Sequence, residues 1–168
     1  AAMARATFSL NGGIGEIVIA DPPLNLFGLE LSRELARAVE EACDSAARAV
    51  LVRAESENFS AGANVEMFLG RDEPAARELI EEFMPTIRRF AEIEVPTVAA
   101  VQGLCLAAGF EVALCCDLIW AAEGAQFGLV EGVIGATPFG GGTQRLAARA
   151  GAGRGWRRRR GRPRTARP

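Results

Sequence analysis

Short apolar segments of strand character alternate with helical segments along most of this chain. Residues 29–47 carry apolar side chains at helical spacing, and 49–54 (AVLVRA) is typical of a short buried strand. A second helix is predicted from an N-cap at Asp72 to about residue 94, and a second strand over 97–102. This alternation predicts an α/β domain in which helices cross between strands.

The remaining segments extend the same pattern at both ends. Residues 7–20 contain an Asn11-Gly12 turn between two strand-like runs and predict a β-hairpin. Residues 104–116 predict an apolar helix, 117–122 a strand and 143–150 a final helix. We therefore predict one core over residues 3–150. Residues 151–168 are rich in arginine and have no apolar periodicity, so they are predicted to be disordered.

The composition excludes several kinds of chemistry. Histidine and lysine are both absent, which rules out Ser-His-Asp and Cys-His nucleophiles, Schiff-base lysines and a phosphate-loop lysine. The four cysteines lack metal-ligand spacing, and no metal site is expected. No apolar stretch is long enough to span a membrane and no signal peptide precedes the core, so a cytoplasmic location is predicted.

One carboxylate lies in an otherwise uncharged segment: Glu111, within residues 104–116 (LCLAAGFEVALCC). A buried carboxylate is costly unless it is paired or protonated, so this residue needs an explanation. It could lie in a first helical turn, pointing into solvent or capping a neighbouring N–H. Alternatively, if the helix begins near Ala108, a free backbone N–H and the carboxylate share a face, which suits chemistry on a carbonyl compound.

A second isolated acid, Glu131, lies within residues 126–142 (QFGLVEGVIGATPFGGG) and is the last acid in the chain. Desolvation among small and apolar residues would raise its pKa and suit proton transfer near neutral pH. An ordinary loop glutamate exposed to water is the alternative. Two such carboxylates from separate segments could flank one substrate.

Two small-residue loops accompany these acids. Residues 58–64 (NFSAGAN) would let backbone N–H groups approach a ligand oxygen, although a tight structural loop explains them equally well. Residues 140–142 (GGG) indicate a flexible turn before a helix rather than a phosphate cradle.

The order and spacing of these segments resemble the crotonase (enoyl-CoA hydratase/isomerase) family over about residues 7–150. FSAGANVEMF resembles the first oxyanion loop of that family, and the run from PTVAAVQG to GGGTQRL resembles its long signature. The resemblance implies an α/β crotonase-like (ClpP/crotonase) spiral of β-β-α units. Family members usually continue with C-terminal helices, so a core lacking that helical part is expected, with the arginine-rich tail in its place.

The resemblance also implies an activity, namely reversible syn addition of water to a 2-enoyl-CoA thioester. The backbone N–H groups of Ala63 and Ala108 would form the oxyanion hole. Glu111 would deprotonate the attacking water and Glu131 would protonate the α-carbon. No cofactor is implied, since coenzyme A is part of the substrate, and a homo-oligomer (trimer or hexamer) is expected. Five further residues of the motifs would contact substrate: Ala61, Gly62, Asn64, Gly109 and Phe139.

The sequence departs from the family pattern at three points. Asn64 replaces the usual Asp, 107–109 (AAG) replaces a more glycine-rich triplet, and Phe139 stands where small residues are common. Other readings stay open: another crotonase reaction (isomerisation, dehydration or decarboxylation), or an inactive remnant that associates through uncovered apolar surface. Nucleic-acid binding through the tail is disfavoured, because Trp156 is its one aromatic residue and no reading motif is present.

Overall fold

The computed structural model describes residues 4–151 and the backbone of 164–165. Its helices are α1 (Leu29–Asp44), α2 (Glu73–Ala91), α3 (Ala107–Cys115) and α4 (Gly142–Ala150), with short 3-10 helices at Val65–Phe68 and Glu131–Ile134. Its strands are β1 (Ala6–Asn11), β2 (Ile14–Ile19), β3 (Ala49–Ala54), β4 (Thr97–Val101), β5 (Leu104–Leu106), β6 (Leu118–Ala121), β7 (Gln126–Gly128) and β8 (Arg164–Thr165).

Two sheets organise these strands. The larger has the order β1-β2-β3-β4-β6, in which β1 and β2 are antiparallel and the other neighbours are parallel. The smaller has the order β5-β7-β8, with β5 and β7 parallel. The predicted hairpin is confirmed: Asn11 pairs with Ile14, and Gly12 and Gly13 both take positive φ in the turn between them. The α/β architecture is also confirmed.

The core lies between the larger sheet and helix α1. Leu31, Leu35 and Val39 follow helical spacing and are buried, as are Ile17 and Val52 on the strands that face them. Helix α1 ends at Asp44, three residues before its predicted end, and Ser45 extends its side chain to the carbonyl of Ala42. The apolar stripe therefore fixes this helix against the sheet.

The predicted N-cap of α2 is confirmed. The Asp72 carboxylate accepts a hydrogen bond from the Ala75 N–H at 3.1 Å, and Pro74 lies in the first turn, where a missing N–H leaves no bond unmade. A second proline, Pro85, lies inside the helix. Residues 79–90 of α2 then pack towards α1 and α3 and close one side of the site described below.

The prediction of one helix over 104–116 is wrong for its first three residues. Leu104–Leu106 form strand β5, which pairs with β7, a strand that the sequence analysis did not predict. Helix α3 begins at Ala107, a non-glycine residue with φ of +46°. Tertiary pairing overrides helix propensity here, because β5 has partners on both sides, β7 and Ser60.

Most of the predicted disordered tail lies outside the described residues, and its disorder stays a prediction. Arg164 and Thr165 differ from that expectation, since they pair with Phe127 and Gln126 of β7. The edge of a sheet offers backbone donors and acceptors to such a pairing. Among residues 4–151 and 164–165, no helix has the length and apolar character required to cross a bilayer.

Candidate active site

The first small-residue loop runs beside strand β5. Ser60 forms a parallel bridge with Cys105, donating its N–H to the Leu104 carbonyl and accepting from the Leu106 N–H, both at 2.9 Å. Beyond this bridge, Gly62 closely approaches the carbonyl of Leu106 and the side chain of Ala107. Loop 58–64 and the start of α3 are therefore neighbours in space.

The backbone amide of Ala63 faces that side of the loop. Ala63 also forms a parallel bridge with Phe27, whose N–H donates to the Gly62 carbonyl and whose carbonyl accepts from the Asn64 N–H. Phe27 bonds to the residues on either side of Ala63, so the N–H and C=O of Ala63 itself point away from Phe27. Within residues 4–151, no protein acceptor receives it.

The amide of Ala108 is similarly available. Ala108 is the second residue of α3. The N–H groups in the first turn of a helix have no acceptor within that helix. The positive end of the helix dipole adds to their attraction for a negatively charged oxygen. The two N–H groups thus belong to the loop and to the helix start that this loop approaches. Their role as an oxyanion hole stays a prediction.

Two glycines allow the loop and the helix to approach so closely. Gly62 has φ of +109°, and a Cβ built there would lie 2.8 Å from the Cβ of Ala107. A Cβ at Gly109 would lie 2.5 Å from the Cβ of Ser60. Both distances are shorter than real carbon contacts. The structure therefore gives Gly62 and Gly109 a steric role, beside the substrate contact predicted for them.

A buried polar network that was not predicted from the sequence lies beneath the loop. Asn25 is fully buried in a left-handed conformation and donates from Nδ2 to Ser56 Oγ and to the carbonyls of Asn58 and Phe59. Ser60 Oγ donates to the Asn25 carbonyl at 2.7 Å. The signal available in the sequence was an asparagine directly after a Pro-Pro-Leu turn, a residue type that tolerates positive φ.

Glu111 is buried, with 3% of its surface exposed. The alternative that it points into solvent is therefore wrong. Its Oε1 accepts a hydrogen bond from the Gly142 N–H at 2.8 Å, so the carboxylate also caps the first turn of α4. One of the two carboxylate oxygens therefore has a structural role as a helix cap. The burial and the position on α3 beside Ala108 match the chemical interpretation.

The triple glycine encloses this carboxylate rather than forming a flexible turn. A Cβ at Gly140 would lie 2.7 Å from Glu111 Oε2, and one at Gly142 would lie 2.9 Å from Oε1. Gly141 takes φ of +93°, and the Arg145 guanidinium donates to the Gly140 carbonyl at 2.8 Å. A side chain at position 140 or 142 would therefore displace the carboxylate.

The pKa of Glu111 is raised above its ordinary value, and burial is the main cause. The backbone donors of Gly142 and Gly140 and the nearby Arg145 charge act in the opposite direction and lower it. Burial prevails over these three effects together. A carboxylate with this balance is a stronger base than an exposed one, as a group that accepts a proton must be.

Glu111 and Ala108 line the same small pocket. Its volume is about 30 Å³, enough for one or two water molecules. Helices α1, α2 and α3 and residues 139–140 enclose it, and most of the lining side chains are apolar or aromatic. Phe139, one of the predicted substrate contacts, contributes to this lining while 41% of its surface stays exposed.

Glu131 lies at the same end of the smaller sheet. Strands β5 and β7 are parallel, and Leu106 pairs with Gly128 at their carboxyl ends. Helix α3, which carries Glu111, follows β5 directly, and Glu131 lies three residues beyond Gly128. The carboxyl ends of neighbouring parallel strands lie at one edge, so both acids belong to that edge. Glu131 begins a 3-10 helix, is half-buried and has its Oε2 shielded from solvent. It does not line the pocket of Glu111.

The other predicted contact residues belong to the loop itself. Ala61 donates its N–H to the Leu24 carbonyl at 2.9 Å, which anchors the loop. Asn64 accepts a hydrogen bond from the Glu66 N–H and caps the 3-10 helix Val65–Phe68. Any contact of Ala61 and Asn64 with substrate stays a prediction. Within residues 4–151 and 164–165, no cluster of three His, Cys, Asp or Glu could hold a metal ion.

Comparison with known proteins bears on this arrangement. The family model described as enoyl-CoA hydratase/isomerase matches residues 9–155. The human mitochondrial methylglutaconyl-CoA hydratase is 36% identical over 124 residues, which cover 73% of this chain and 37% of that protein. A mouse mitochondrial protein, enoyl-CoA hydratase domain-containing protein 2, is 35% identical over 142 residues, covering 81% of this chain and 47% of the relative.

Solved structures agree with these relatives. An enoyl-CoA hydratase from Bacillus anthracis superposes with a TM-score of 0.88 at 28% identity, over 96% of this chain and 65% of that one. The enoyl-CoA hydratase from Thermoplasma volcanium GSS1 superposes with a TM-score of 0.90 at 26% identity, over 98% of this chain and 67% of that one. The chain belongs to the enoyl-CoA hydratase/isomerase (crotonase) family and has its fold. It spans less than half the length of the two curated relatives described above.

Proposed function

We propose that this chain catalyses the reversible syn addition of water to a 2-enoyl-CoA thioester, with no cofactor beyond the coenzyme A of the substrate. The observation that carries the proposal is a buried carboxylate, Glu111, in one pocket with Ala108 at the amino end of α3. Membership of a family of acyl-CoA enzymes supports the substrate class.

In this proposal the backbone binds the thioester oxygen. The N–H groups of Ala63 and Ala108 donate to it, and their interaction strengthens as the carbonyl becomes an enolate. Losing one such donor typically costs on the order of 10²–10³ in kcat. The helix dipole of α3 favours the same negative charge. Since these donors are main-chain groups, fixed packing by Gly62 and Gly109 preserves their geometry.

The carboxylates then move the protons. Glu111 removes a proton from water while the oxygen bonds to the β-carbon, and the electron pair of the double bond shifts to the thioester oxygen. Glu131 gives a proton to the α-carbon as the enolate collapses, which yields a 3-hydroxyacyl-CoA. The proton gained by Glu111 returns to Glu131 through solvent, so the net reaction adds one water.

One observation favours a second candidate, a reaction that needs a single carboxylate. Glu111 lines the pocket and Glu131 does not. Isomerisation of a 3-enoyl-CoA to a 2-enoyl-CoA requires one base that removes a proton from the α-carbon and returns it to the γ-carbon. Glu111 alone could perform that transfer. The two candidates therefore differ in their dependence on Glu131.

Turnover of crotonyl-CoA and of a 3-enoyl-CoA by the wild type, Glu111→Gln and Glu131→Gln separates these candidates. Glutamine still accepts the Gly142 hydrogen bond, so the first variant removes the base and keeps the cap of α4. Hydration predicts a loss of on the order of 10²–10⁴-fold in each variant. The exposed Glu123→Gln is the matched control and should keep full activity.

Other outcomes assign the chain differently. Isomerisation that requires Glu111 and not Glu131 establishes the second candidate. Equal hydration by all variants contradicts both roles. A wild-type chain that converts neither thioester, and that scatters light as an aggregate, is an inactive remnant.

Assembly and location belong to the proposal as well. A trimer or hexamer is proposed from the family and is measured by light scattering of the purified chain. We also propose a cytoplasmic location, although both mammalian relatives described above are named as mitochondrial proteins. Fluorescence of a tagged chain in cells tests it.

A further inference from the structure

A hydroxyl group lies buried in the pocket of Glu111 without a protein partner. Ser32, in the second turn of α1, is 8% exposed and lines this pocket. Its N–H donates to the Gly28 carbonyl, but among the described residues its Oγ makes no hydrogen bond. By contrast, the buried Ser60 Oγ donates to the Asn25 carbonyl at 2.7 Å.

An unpartnered buried hydroxyl is destabilising, because folding removes it from water and returns no bond. The same position could hold an alanine or a larger apolar residue at less cost, since Leu35 and Phe83 beside it are apolar. If a ligand supplies the hydrogen-bond partner, the hydroxyl is satisfied only when that ligand binds. Such a site rejects analogues that lack the partner group. This points to recognition rather than packing.

The surroundings restrict the chemistry of that partner. The side chains that line the pocket are mainly apolar and aromatic, and among the described residues none of them is positively charged. Glu111 is the one charged group in the lining. A carboxylate on the ligand would therefore meet a like charge and no cation, which is unfavourable. A neutral oxygen fits the pocket.

The position of Ser32 places the contact away from the reacting carbons. Ala108 and Glu111 come from α3, whereas Ser32 and Leu35 come from α1 and share one face of it, three residues apart. A thioester carbonyl held at α3 would direct its chain towards the α1 and α2 walls, and those walls must move apart to admit a chain larger than the pocket of about 30 Å³. The α2 wall supplies Phe83 and Ile87, four residues apart on one face of the helix.

We propose that Ser32 is a specificity-determining residue that hydrogen-bonds a neutral oxygen, a hydroxyl or a carbonyl, carried on the acyl chain of the thioester. This inference rests on the proposed acyl-CoA function. It refines that function by naming the substrate class: acyl chains with an uncharged oxygen beyond the carbons that react.

Binding of saturated thioesters to the full chain tests the inference without requiring turnover. Calorimetry would compare 4-hydroxybutyryl-CoA with pentanoyl-CoA, and 5-hydroxypentanoyl-CoA with hexanoyl-CoA. Each pair exchanges one hydroxyl for a methyl of similar size. In at least one pair, the hydroxylated ligand should bind the wild type roughly tenfold more tightly, the ratio that one neutral hydrogen bond supplies.

Ser32→Ala should remove that preference while keeping or raising the thermal midpoint, because it deletes the unpartnered hydroxyl and favours helix. Ser32→Cys should also reduce the preference for the hydroxylated ligand, because a thiol is close in size to a hydroxyl but is a weak hydrogen-bond donor. Ser9→Ala, which removes an exposed hydroxyl on β1, is the matched control and should leave the preference unchanged.

Three results would overturn the inference. The first is the absence of any preference in both pairs. The second is an equal loss of affinity for every ligand in Ser32→Ala, which would indicate a bound water or a packing role. The third is tighter binding of glutaryl-CoA than of pentanoyl-CoA, which would contradict a neutral partner.

The companion assay keeps this test separate from the proposed function. Crotonyl-CoA hydration without a hydroxyl preference refutes the role of Ser32 and leaves the hydratase proposal standing. A preference that Ser32→Ala abolishes, in a chain that hydrates nothing, supports Ser32 and refutes the hydratase.

Discussion

The substitution Gly142→Ala tests how the Glu111 carboxylate is held. Gly142 is buried at the start of α4, donates its N–H to Glu111 Oε1 at 2.8 Å, and has a φ that alanine can adopt. The added methyl would lie 2.9 Å from Cγ and Oε1 of Glu111 and 2.9 Å from Leu129 Cδ2. Ordinary contacts begin at 3.4 Å, so these neighbours must move by about half an ångström.

The structure sets the size of the effect. Overpacking of this kind costs about 1–3 kcal/mol, and the better helix propensity of alanine offsets up to about 1 kcal/mol of it. A displacement of 1 Å can cost on the order of 10²-fold in rate. Half that shift at the base predicts a fall in kcat of on the order of tenfold, with a modest loss of stability.

The assay is crotonyl-CoA hydration, measured beside urea unfolding of the same preparations. Gly124→Ala is the matched control, because a methyl at Gly124 meets nothing within 4 Å and its φ is also compatible with alanine. The control should keep wild-type kcat and stability. A Gly142→Ala variant with wild-type kcat would refute the view that the triple glycine positions the base.

Three further predictions concern stability. Ala107→Gly should raise the free energy of unfolding, measured by urea denaturation, by about 1 kcal/mol, because a φ of +46° strains alanine. An unchanged or lower free energy of unfolding would contradict that strain. Asn25→Ala should lower it by more than about 3 kcal/mol, because it removes the bonds that hold residues 56–59; a loss below about 1 kcal/mol would show that the network is dispensable. Burial raises the pKa of Glu111, so the folded state holds its proton to higher pH and this residue costs stability as pH rises through that pKa. The stability advantage of Glu111→Gln over wild type should therefore grow as pH increases above the ordinary value of 4.5; a constant difference would show that this pKa is not raised.

Much of the fold follows from local pattern. The hairpin turn, the apolar stripe of α1 and the Asp72 cap are encoded within short windows, where propensity and spacing agree with the final structure. Strands β5 and β7 are not encoded in this way. Each has three residues, and each forms because a distant segment pairs with it. Their partners are a property of the tertiary structure.

The candidate site divides similarly. An isolated acid in an apolar segment signalled Glu111, and motif resemblance signalled the loop amides. The triple glycine gave no such signal, since its role depends on contact with a carboxylate about thirty residues earlier. Ser32 gave none either: a serine in an amphipathic helix is unremarkable until its neighbours are known.

A crystal structure of the full chain with butyryl-CoA, a saturated ligand that cannot be hydrated, is the most direct test of the central claim. The account predicts that the thioester oxygen lies within hydrogen-bond distance of the backbone N atoms of both Ala63 and Ala108. It also predicts that the carboxylates of Glu111 and Glu131 face the α- and β-carbons. A thioester oxygen bound elsewhere, or either carboxylate turned away from those carbons, would contradict it.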